Sequence, residues 1–129
     1  MRIFLVDDHS LFRDGLESLL EKRSDLAVVG TASSGPQALE QLPAAAPDVV
    51  LLDLKMPGMD GLATLKELAA SGTKARVIML TVSDDEEDLV AALRHGAAGY
   101  LLKDAEPDEL NHALDRVLAG ETVVTPRLT

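Results

Sequence analysis

The sequence contains no cysteine, so disulfide bonds and thiolate metal sites are both excluded. It also lacks any apolar run approaching the roughly 18 residues that a membrane-spanning helix requires. The apolar stretch at the amino terminus is short and is followed at once by Asp7 and Asp8, unlike a signal peptide. We therefore expect a soluble, cytoplasmic protein that has no membrane partner.

Positive charge is also scarce. The chain has 12 Lys and Arg residues against 22 Asp and Glu residues, and its formal net charge is −10. Proteins that bind nucleic acids neutralise phosphates with Lys and Arg, whereas this chain repels phosphates overall. We therefore expect that this chain does not bind DNA by itself, and that most of its negative charge serves solubility.

What the sequence does contain is a regular alternation of short apolar segments and amphipathic helical patterns. The apolar segments recur at intervals of roughly 22 to 28 residues, which is typical of parallel strands joined by helices. The five predicted strands cover residues 3–6, 27–31, 48–53, 77–80 and 99–102. We therefore predict an α/β fold, a doubly wound five-stranded parallel sheet with five helices. Residues 1–120 are assigned to this domain, and residues 121–129 to a tail or the start of a linker.

Capping and turn residues predict where the helices begin and end. Pro36 suits the first turn of the second helix, and Pro43 is expected to end that helix. Asp60 is expected to cap the third helix. Ser83 and Glu86 match a capping-box pattern at the start of the fourth helix.

The most apolar strand ends on a carboxylate. Four apolar residues, 49–52, precede Asp53, and a turn follows at Pro57 and Gly58. In open α/β sheets the carboxyl ends of the strands border the ligand crevice. Because an unpaired carboxylate is unfavourable in such an apolar setting, cations or hydrogen-bond donors are expected close to Asp53.

The predicted sheet brings other polar residues to the same edge. Asp7, Asp8, Thr81 and Lys103 follow the ends of three further strands and should converge on Asp53. Three clustered carboxylates repel one another, and a divalent cation relieves this repulsion. Oxygen ligands without His or Cys favour Mg²⁺.

A carboxylate in this setting suits phosphoryl transfer. It can act as the nucleophile and form an aspartyl phosphate. The charge of the transferred group would then be neutralised by Mg²⁺ from the Asp8 side and by the Lys103 ammonium from the other. The Thr81 hydroxyl is placed to donate a hydrogen bond to a phosphoryl oxygen. These residues predict that Asp53 is a phosphoacceptor.

The predicted site resembles the receiver domain of two-component response regulators. The resemblance rests on Asp7, Asp8, Asp53, Thr81 and Lys103, together with Tyr100 and the segment Lys55-Met56-Pro57-Gly58-Met59-Asp60-Gly61. The resemblance covers roughly residues 1 to 120. Residues 96–104 and the early Asp7-Asp8-His9 sequence are similar to the LuxR/NarL-type subfamily.

The resemblance implies a flavodoxin-like fold with strand order 2-1-3-4-5. It implies Mg²⁺ bound by Asp7, Asp8, Asp53 and the backbone carbonyl of Lys55, although the side chain of Asp7 can serve to orient rather than to ligate. The phosphoryl group would come from the phosphohistidine of a sensor histidine kinase.

The resemblance also implies a switch, in which the rotamer of Tyr100, the only tyrosine, is coupled to Thr81. The face from helix 4 to helix 5 would change, and phosphorylation would favour a homodimer. Transcriptional control would follow through a DNA-binding carboxyl-terminal domain that this chain lacks. We expect no enzyme activity beyond self-catalysed phosphorylation and dephosphorylation.

Two positions depart from the common pattern of the family. Asp104 stands after Lys103 where many receivers have proline, so no cis peptide bond is expected there. Val82 follows Thr81 where alanine is frequent, and its bulk bears on access to the phosphoryl group.

Three alternative functions are weighed against this interpretation. A stand-alone receiver would signal by docking another protein. A phosphohydrolase with an aspartate nucleophile usually carries a second aspartate two residues later, where this chain has Lys55. A flavin carrier would need phosphate-binding donors in the first strand-to-helix loop, where this chain has acids.

The remaining charged and titratable groups are assigned structural roles. The acidic run 84–88 is expected to complement the dipole of the fourth helix. His9, His95 and His112 lack the spacing of metal ligands and are expected on the surface.

Overall fold

A computed structural model describes residues 1–125 and 128 and shows strands and helices in alternation. The strands are β1 Arg2–Val6, β2 Ala27–Ala32, β3 Val49–Leu52, β4 Arg76–Thr81, β5 Gly99–Leu102 and β6 Val123–Val124. The helices are α1 Ser10–Leu20, α2 Gly35–Ala45, α3 Gly61–Ala70, α4 Glu86–Arg94 and α5 Pro107–Leu118. None of the helices in this part of the chain combines the length and the apolar character needed to cross a membrane.

The strands form one parallel sheet in the order β2-β1-β3-β4-β5-β6. This confirms the predicted doubly wound, flavodoxin-like order 2-1-3-4-5. The sheet also has a sixth strand that was not predicted, in which Val123 pairs with Gly99 and Val124 with Tyr100. The assignment of residues 121–129 to a tail or linker stays a prediction, and its residues 126, 127 and 129 lie outside the described residues.

Helices cover both faces of the sheet, which explains why its central strands are apolar without alternation. One core cluster joins the sheet to α2, α3 and α4, and it includes Phe4, Val50, Met79 and Tyr100. The other cluster joins the opposite face to α1 and α5, and it includes Leu5. The carboxyl ends of β1, β3, β4 and β5 lie together at one edge of the sheet, between these layers.

Two predicted helix boundaries are wrong. Pro43 lies inside α2, which ends at Ala45, because proline removes only its own N–H bond while the buried Leu42 keeps that turn against the core. The fourth helix is capped by Asp85, whose carboxylate accepts a hydrogen bond from the Glu87 N–H at 2.9 Å. Ser83 therefore lies before the helix and does not form a capping box.

Two other boundaries follow the sequence closely. Pro36 lies in the first turn of α2. Asp60 caps α3 by accepting a hydrogen bond from the Ala63 N–H at 2.8 Å, as predicted. This cap fixes the end of the loop that begins at Asp53.

Candidate functional site

Asp53 lies immediately after β3, at the open edge of the sheet. Its N–H donates to the Val6 carbonyl at 2.9 Å, which continues the pairing with β1. Its side chain is only 2% exposed. One carboxylate oxygen, Oδ1, accepts a hydrogen bond from the Lys55 N–H at 3.3 Å, and Oδ2 accepts one from the Lys103 ammonium at 3.2 Å. The acid that ends the most apolar strand is therefore buried beside a cation, as the sequence predicted.

Two glycines shape the loop that follows Asp53. Gly58 has φ +73°, a left-handed conformation that side chains rarely adopt. At Gly61 a Cβ would overlap the carbonyl oxygen of Asp53, so only glycine allows α3 to start this close to the strand end. The Gly61 N–H donates to the Leu54 carbonyl at 2.8 Å. The loop is thus held against Asp53.

The end of β1 brings two more carboxylates to the site. Asp7 is 5% exposed, and its Oδ2 lies 2.7 Å from the Lys103 ammonium. The His9 N–H donates to the other oxygen of Asp7 at 2.8 Å. Carboxylate oxygens of Asp7, Asp8 and Asp53 and a ring nitrogen of His9 all lie within 4.8 Å of one another. Four possible ligand atoms therefore share one small volume.

Asp8 gives the clearest sign that this cluster suits a cation. Its Oδ1 is buried and accepts no hydrogen bond from the part of the chain that the structure describes. His9 Nδ1 lies 3.4 Å from that oxygen, but without hydrogen-bond geometry. An anionic oxygen without a donor, beside two other carboxylates, is the environment that a hard divalent cation satisfies. The donor set fits Mg²⁺.

His9 lies on the surface, as expected, but it also contacts the acidic cluster. Its side chain is 64% exposed, yet Nδ1 lies 3.2 Å from Asp7 Oδ1 and 3.9 Å from Asp53 Oδ2. His9 therefore forms the rim of the site. The signal in the sequence for this contact is the position of His9 directly after the two aspartates, because metal-ligand spacing does not indicate it.

Burial raises the pKa of Asp53, and the nearby charge of Asp7 raises it further. The Lys103 ammonium and the Lys55 N–H act in the opposite direction and lower the pKa, but they do not fully compensate. A carboxylate with a raised pKa is more basic and hence a better nucleophile. The site thus favours either a proton on Asp53 or additional positive charge beside it.

Lys103 brings a positive charge into direct contact with the carboxylates of the site. Its side chain is 10% exposed and contacts both Asp7 and Asp53. The ammonium also lies 4.6 Å from the centre of the Phe12 ring, an arrangement that stabilises a desolvated cation. The Lys103 N–H donates to the Thr81 carbonyl at 2.8 Å, which holds the end of β5 against β4.

Thr81 and Tyr100 meet at Ser83. Thr81 ends β4, is fully buried, and accepts a hydrogen bond from the Ser83 N–H on its hydroxyl oxygen at 3.2 Å. Tyr100 is also fully buried, and its hydroxyl donates to the Ser83 carbonyl at 2.9 Å. Burial raises the pKa of Tyr100, so the phenol stays protonated and remains a donor. Tyr100 is therefore turned inward and is connected to Thr81 through one residue.

The acidic run at the start of α4 contains a residue whose contacts were not anticipated. Asp88 Oδ2 lies 3.2 Å from the Lys55 ammonium and accepts a hydrogen bond from the Ser83 hydroxyl at 2.5 Å. It therefore bridges the loop after Asp53 and the loop after Thr81. Nothing in the run of five acids distinguishes Asp88 by sequence, because only the three-dimensional course of the two loops selects it.

An apolar groove of about 340 Å³ lies beside the site, between α1 and α5. Lys103 forms part of its wall, and Phe12, Leu16 and Pro107 line it. Leu11, at its border, is 88% exposed, an unusual degree of exposure for a leucine. The groove places apolar surface next to the acidic cluster.

Comparison with known sequences identifies related proteins. The family described as the response regulator receiver domain matches residues 3–115. The nitrate/nitrite response regulator protein NarL of Escherichia coli strain K12 is 47% identical over 127 residues, which cover 98% of this chain and 59% of that protein. The oxygen regulatory protein NreC of Staphylococcus aureus strain JH9 is 41% identical over 130 positions, covering 100% and 60%. The chain thus spans about three fifths of the length of these relatives.

Solved structures agree with the sequence comparison. The signal receiver domain of a response regulator NarL from Mycobacterium tuberculosis superposes with a TM-score of 0.88 at 38% identity, covering 93% of this chain and 97% of the other. A LuxR-family regulator from Aurantimonas sp. SI85-9A1 gives 0.93 at 33% identity, covering 98% and 91%. The isolated REC domain of RcsB from Salmonella enterica serovar Typhimurium, in the presence of the phosphomimetic BeF₃⁻, gives 0.90 at 28% identity, covering 99% and 97%.

Proposed function

The chain belongs to the response regulator receiver domain family, in its NarL/LuxR group, and from this premise we propose that it is a Mg²⁺-dependent phosphoacceptor modified on Asp53. The observation that carries the proposal is the buried Asp53 carboxylate, held by Lys103 and flanked by Asp7 and Asp8. A structural ion pair would need one carboxylate for one ammonium. Here two carboxylates contact that ammonium, Asp8 lies beside them, and an oxygen of Asp8 has no donor among the residues that the structure describes.

The proposed reaction is the attack of an Asp53 carboxylate oxygen on the phosphorus atom of a phosphohistidine. A P–O bond forms as the P–N bond breaks, and the electron pair of the broken bond stays on the imidazole nitrogen. Lys103 neutralises the charge that is displaced from Asp53 onto the phosphoryl oxygens. The Thr81 hydroxyl then exchanges its contact with Ser83 for one with the phosphoryl group.

The proposed metal site uses oxygen ligands on two loops. Asp8, Asp53 and the Lys55 carbonyl would hold Mg²⁺, and Asp7 would ligate it or orient its shell. When bound there, Mg²⁺ would supply positive charge to the phosphoryl oxygens in addition to that of Lys103. Asp7 already engages Lys103 at 2.7 Å, which supports an orienting role for this carboxylate.

We propose that the chain turns over no separate substrate. Loss of the phosphoryl group requires attack by water, and a second carboxylate two residues after Asp53 would be the usual general acid or base. Lys55 occupies that position, and its ammonium is paired with Asp88. The chain therefore has a cationic side chain at the position where a phosphohydrolase needs a carboxylate to accept or donate a proton.

The proposed switch runs through Ser83. A phosphoryl group adds about −1.5 to −2 charges and would draw Thr81 towards Asp53. Because Thr81 and Tyr100 both bond to Ser83, movement of this loop changes the environment of Tyr100 and of α4. A differential free energy of a few kcal/mol between the two states is sufficient to shift the population decisively.

The proposed partners are a sensor histidine kinase as phosphodonor and a second copy of the chain. NarL and NreC, which are nitrate/nitrite and oxygen regulators by name, support a regulatory role in a longer protein. In such a protein a separate domain would supply the DNA contacts, because this chain carries a net charge of −10.

Mass spectrometry of the intact protein tests the proposal. Incubation with acetyl phosphate and Mg²⁺ should add one phosphoryl group, and chelation of Mg²⁺ should prevent the addition. Asp53→Asn should remain unmodified, while the control Asp84→Asn, which removes an exposed acid outside the cluster, should be modified like the parent. Equal modification of Asp53→Asn and the parent would refute the proposal.

A further inference from the structure

The carboxyl-terminal strand β6 is joined to the strand that carries Tyr100. The Val123 N–H donates to the Ala98 carbonyl at 3.0 Å, and the Thr125 N–H donates to the Tyr100 carbonyl at 2.9 Å. Val123 and Thr125 are 8% and 6% exposed. The segment 123–125 is therefore part of the sheet, although it contributes only two residues of regular strand.

Thr125 makes a side-chain contact that continues this pairing beyond the end of β6. Its hydroxyl oxygen accepts a hydrogen bond from the Leu102 N–H at 3.1 Å and also lies 3.3 Å from the Tyr100 carbonyl, to which the hydroxyl donates. Leu102 is 2% exposed, so its N–H would otherwise be a buried donor at the edge of the sheet. Leaving such a donor unpaired is costly.

These contacts hold the end of β5 from both sides. The Leu102 N–H points towards β6 and bonds to Thr125, whereas the next N–H, that of Lys103, points towards β4 and bonds to Thr81. Lys103 then reaches Asp53 with its ammonium. The backbone that positions Lys103 is thus fixed jointly by Thr81 on one side and by Thr125 on the other.

We propose that Thr125 is a positioning residue for the phosphoacceptor site, acting through the end of β5, and that segment 123–125 responds in turn to the state of Asp53. The inference rests on the proposed function. If Thr125 favours the arrangement of Lys103 and Tyr100 that accepts the phosphoryl group, a group bound at Asp53 must favour the pairing of Thr125 with β5 to the same extent. The state of the site thereby reaches segment 123–125 through β5.

Amide hydrogen exchange in the chain of 129 residues tests the coupling. Beryllofluoride with Mg²⁺ serves as the phosphoryl analogue. We expect the amides of Leu102 and Thr125 to exchange about two- to tenfold more slowly with the analogue, which is the range that one hydrogen bond supplies. The amide of Val28, on the distant edge strand β2, is the internal control and should not change. Asp53→Asn should show no response.

The possible results of this exchange measurement are distinguishable. If the analogue alters exchange at Lys55 but leaves Leu102 and Thr125 unchanged, the coupling is refuted while the proposed function stands. If the analogue alters nothing, the proposed function fails and the coupling fails with it.

Substitutions test the positioning role. Thr125→Val removes the hydroxyl at nearly constant volume and should slow phosphorylation by acetyl phosphate about two- to tenfold. Thr125→Ser retains the hydroxyl and should restore the parent rate, and Thr122→Val, an exposed threonine before β6, should match the parent.

Equal rates and equal Leu102 exchange in Thr125→Val and Thr122→Val would overturn the proposal. The proposal would also be overturned if Thr125→Val had a lower thermal midpoint than the parent but was phosphorylated as fast as Thr125→Ser. Thr125 would then have only a structural role. If Thr125→Val does not fold, the exchange response of the parent protein decides the question.

Discussion

At the scale of single residues, the site is defined by an imbalance of charge. Asp7 and Asp53 are buried and share one ammonium, that of Lys103, and Asp8 adds a third carboxylate. Burial and mutual repulsion both raise the pKa of Asp53. Repulsion among these carboxylates therefore lowers the free energy of unfolding, and binding of a cation would relieve it.

Asp53→Asn should stabilise the domain at pH 7 in the absence of Mg²⁺. Because the folded-state pKa of Asp53 is raised, the ionised carboxylate disfavours the native state above that pKa, and the penalty vanishes below the unfolded value of about 3.9. The thermal midpoint should rise by about a few degrees at pH 7. This gain should shrink as the pH falls through the folded pKa towards 4.

Thermal unfolding in a chelator between pH 4 and pH 7 measures the effect. Asp84→Asn is the matched control, since it removes an exposed charge without changing the cluster. A lower midpoint for Asp53→Asn than for the parent at pH 7 would contradict this electrostatic account.

Lys103→Met should destabilise the domain without Mg²⁺ by about 3 kcal/mol, because it leaves buried carboxylates without their cation. Mg²⁺ should then stabilise the variant more than it stabilises the parent, since the metal replaces the missing charge and no longer meets a repelling ammonium. Denaturant unfolding with and without Mg²⁺ measures both quantities. If Mg²⁺ raised the free energy of unfolding equally in the variant and the parent, the metal would bind away from Lys103.

Much of the arrangement of these residues could be predicted from the sequence. Parallel strands bring their carboxyl ends to one edge of the sheet, and the predicted site residues lie at or directly after such ends: Asp7, Asp8, Asp53, Thr81 and Lys103. His9 and Asp88 could not be found in this way. Their contacts depend on side-chain rotamers and on the course of two loops, which no period in the sequence encodes.

At the scale of secondary-structure elements, the start of α4 is the point where the site and the sheet meet. The Ser83 carbonyl accepts a hydrogen bond from the Tyr100 hydroxyl. The Ser83 N–H donates to the Thr81 hydroxyl oxygen, and the Ser83 hydroxyl donates to the Asp88 carboxylate. The Lys55 ammonium reaches the same Asp88 carboxylate. The loop before α4 therefore has contacts with β4, β5 and the Asp53 loop at once, and a change at any of them reaches the helix.

Tyr100→Phe tests this connection at the scale of the element. The substitution removes the hydrogen bond to the Ser83 carbonyl and keeps the buried ring, at a cost of about 1 kcal/mol. We expect phosphorylation of Asp53 to persist, while amide exchange in residues 83–88 becomes faster and less responsive to beryllofluoride. Nuclear magnetic resonance of the amides provides the measurement. An unchanged response in residues 83–88 would show that the hydroxyl does not couple Tyr100 to α4.

Longer strands and helices could be predicted from the sequence, whereas short elements and element ends could not. The five longer strands were evident from apolar runs and their spacing, whereas their order was implied by the resemblance to receiver domains. Strand β6 has two residues, Val123 and Val124, which is too short to show a pattern. The end of α2 at Ala45 and the cap of α4 at Asp85 were decided by tertiary packing and by competition among neighbouring acids.

At the scale of the whole molecule, exposed apolar surface is available for association between copies of the chain, whereas the net charge opposes it. The net charge of −10 opposes DNA binding and also opposes self-association at low salt. The groove beside Leu11, between α1 and α5, offers apolar surface that two copies could bury. The face of α4, β5 and α5 is the other candidate, and Val90 is exposed on its α4 side.

We expect beryllofluoride with Mg²⁺ to strengthen self-association, most clearly at moderate salt where repulsion is screened. Sedimentation equilibrium with and without the analogue measures the change. Leu11→Gln should weaken the dimer if the groove between α1 and α5 is the interface, whereas Val90→Gln should do so if the α4 face is used. A monomer that is unaffected by the analogue would instead favour a receiver that docks a different protein.

The central claim is that Asp53 itself carries the phosphoryl group, and chemical mapping of that position tests it most directly. Borohydride reduces an aspartyl phosphate to homoserine, so reduction after treatment with acetyl phosphate and Mg²⁺ marks the modified residue permanently. We predict homoserine at position 53 and unmodified aspartate at positions 7 and 8, with no conversion when Mg²⁺ is chelated. Homoserine at another position, or a phosphoryl group that resists reduction and resides on a serine, threonine or histidine, would contradict the account.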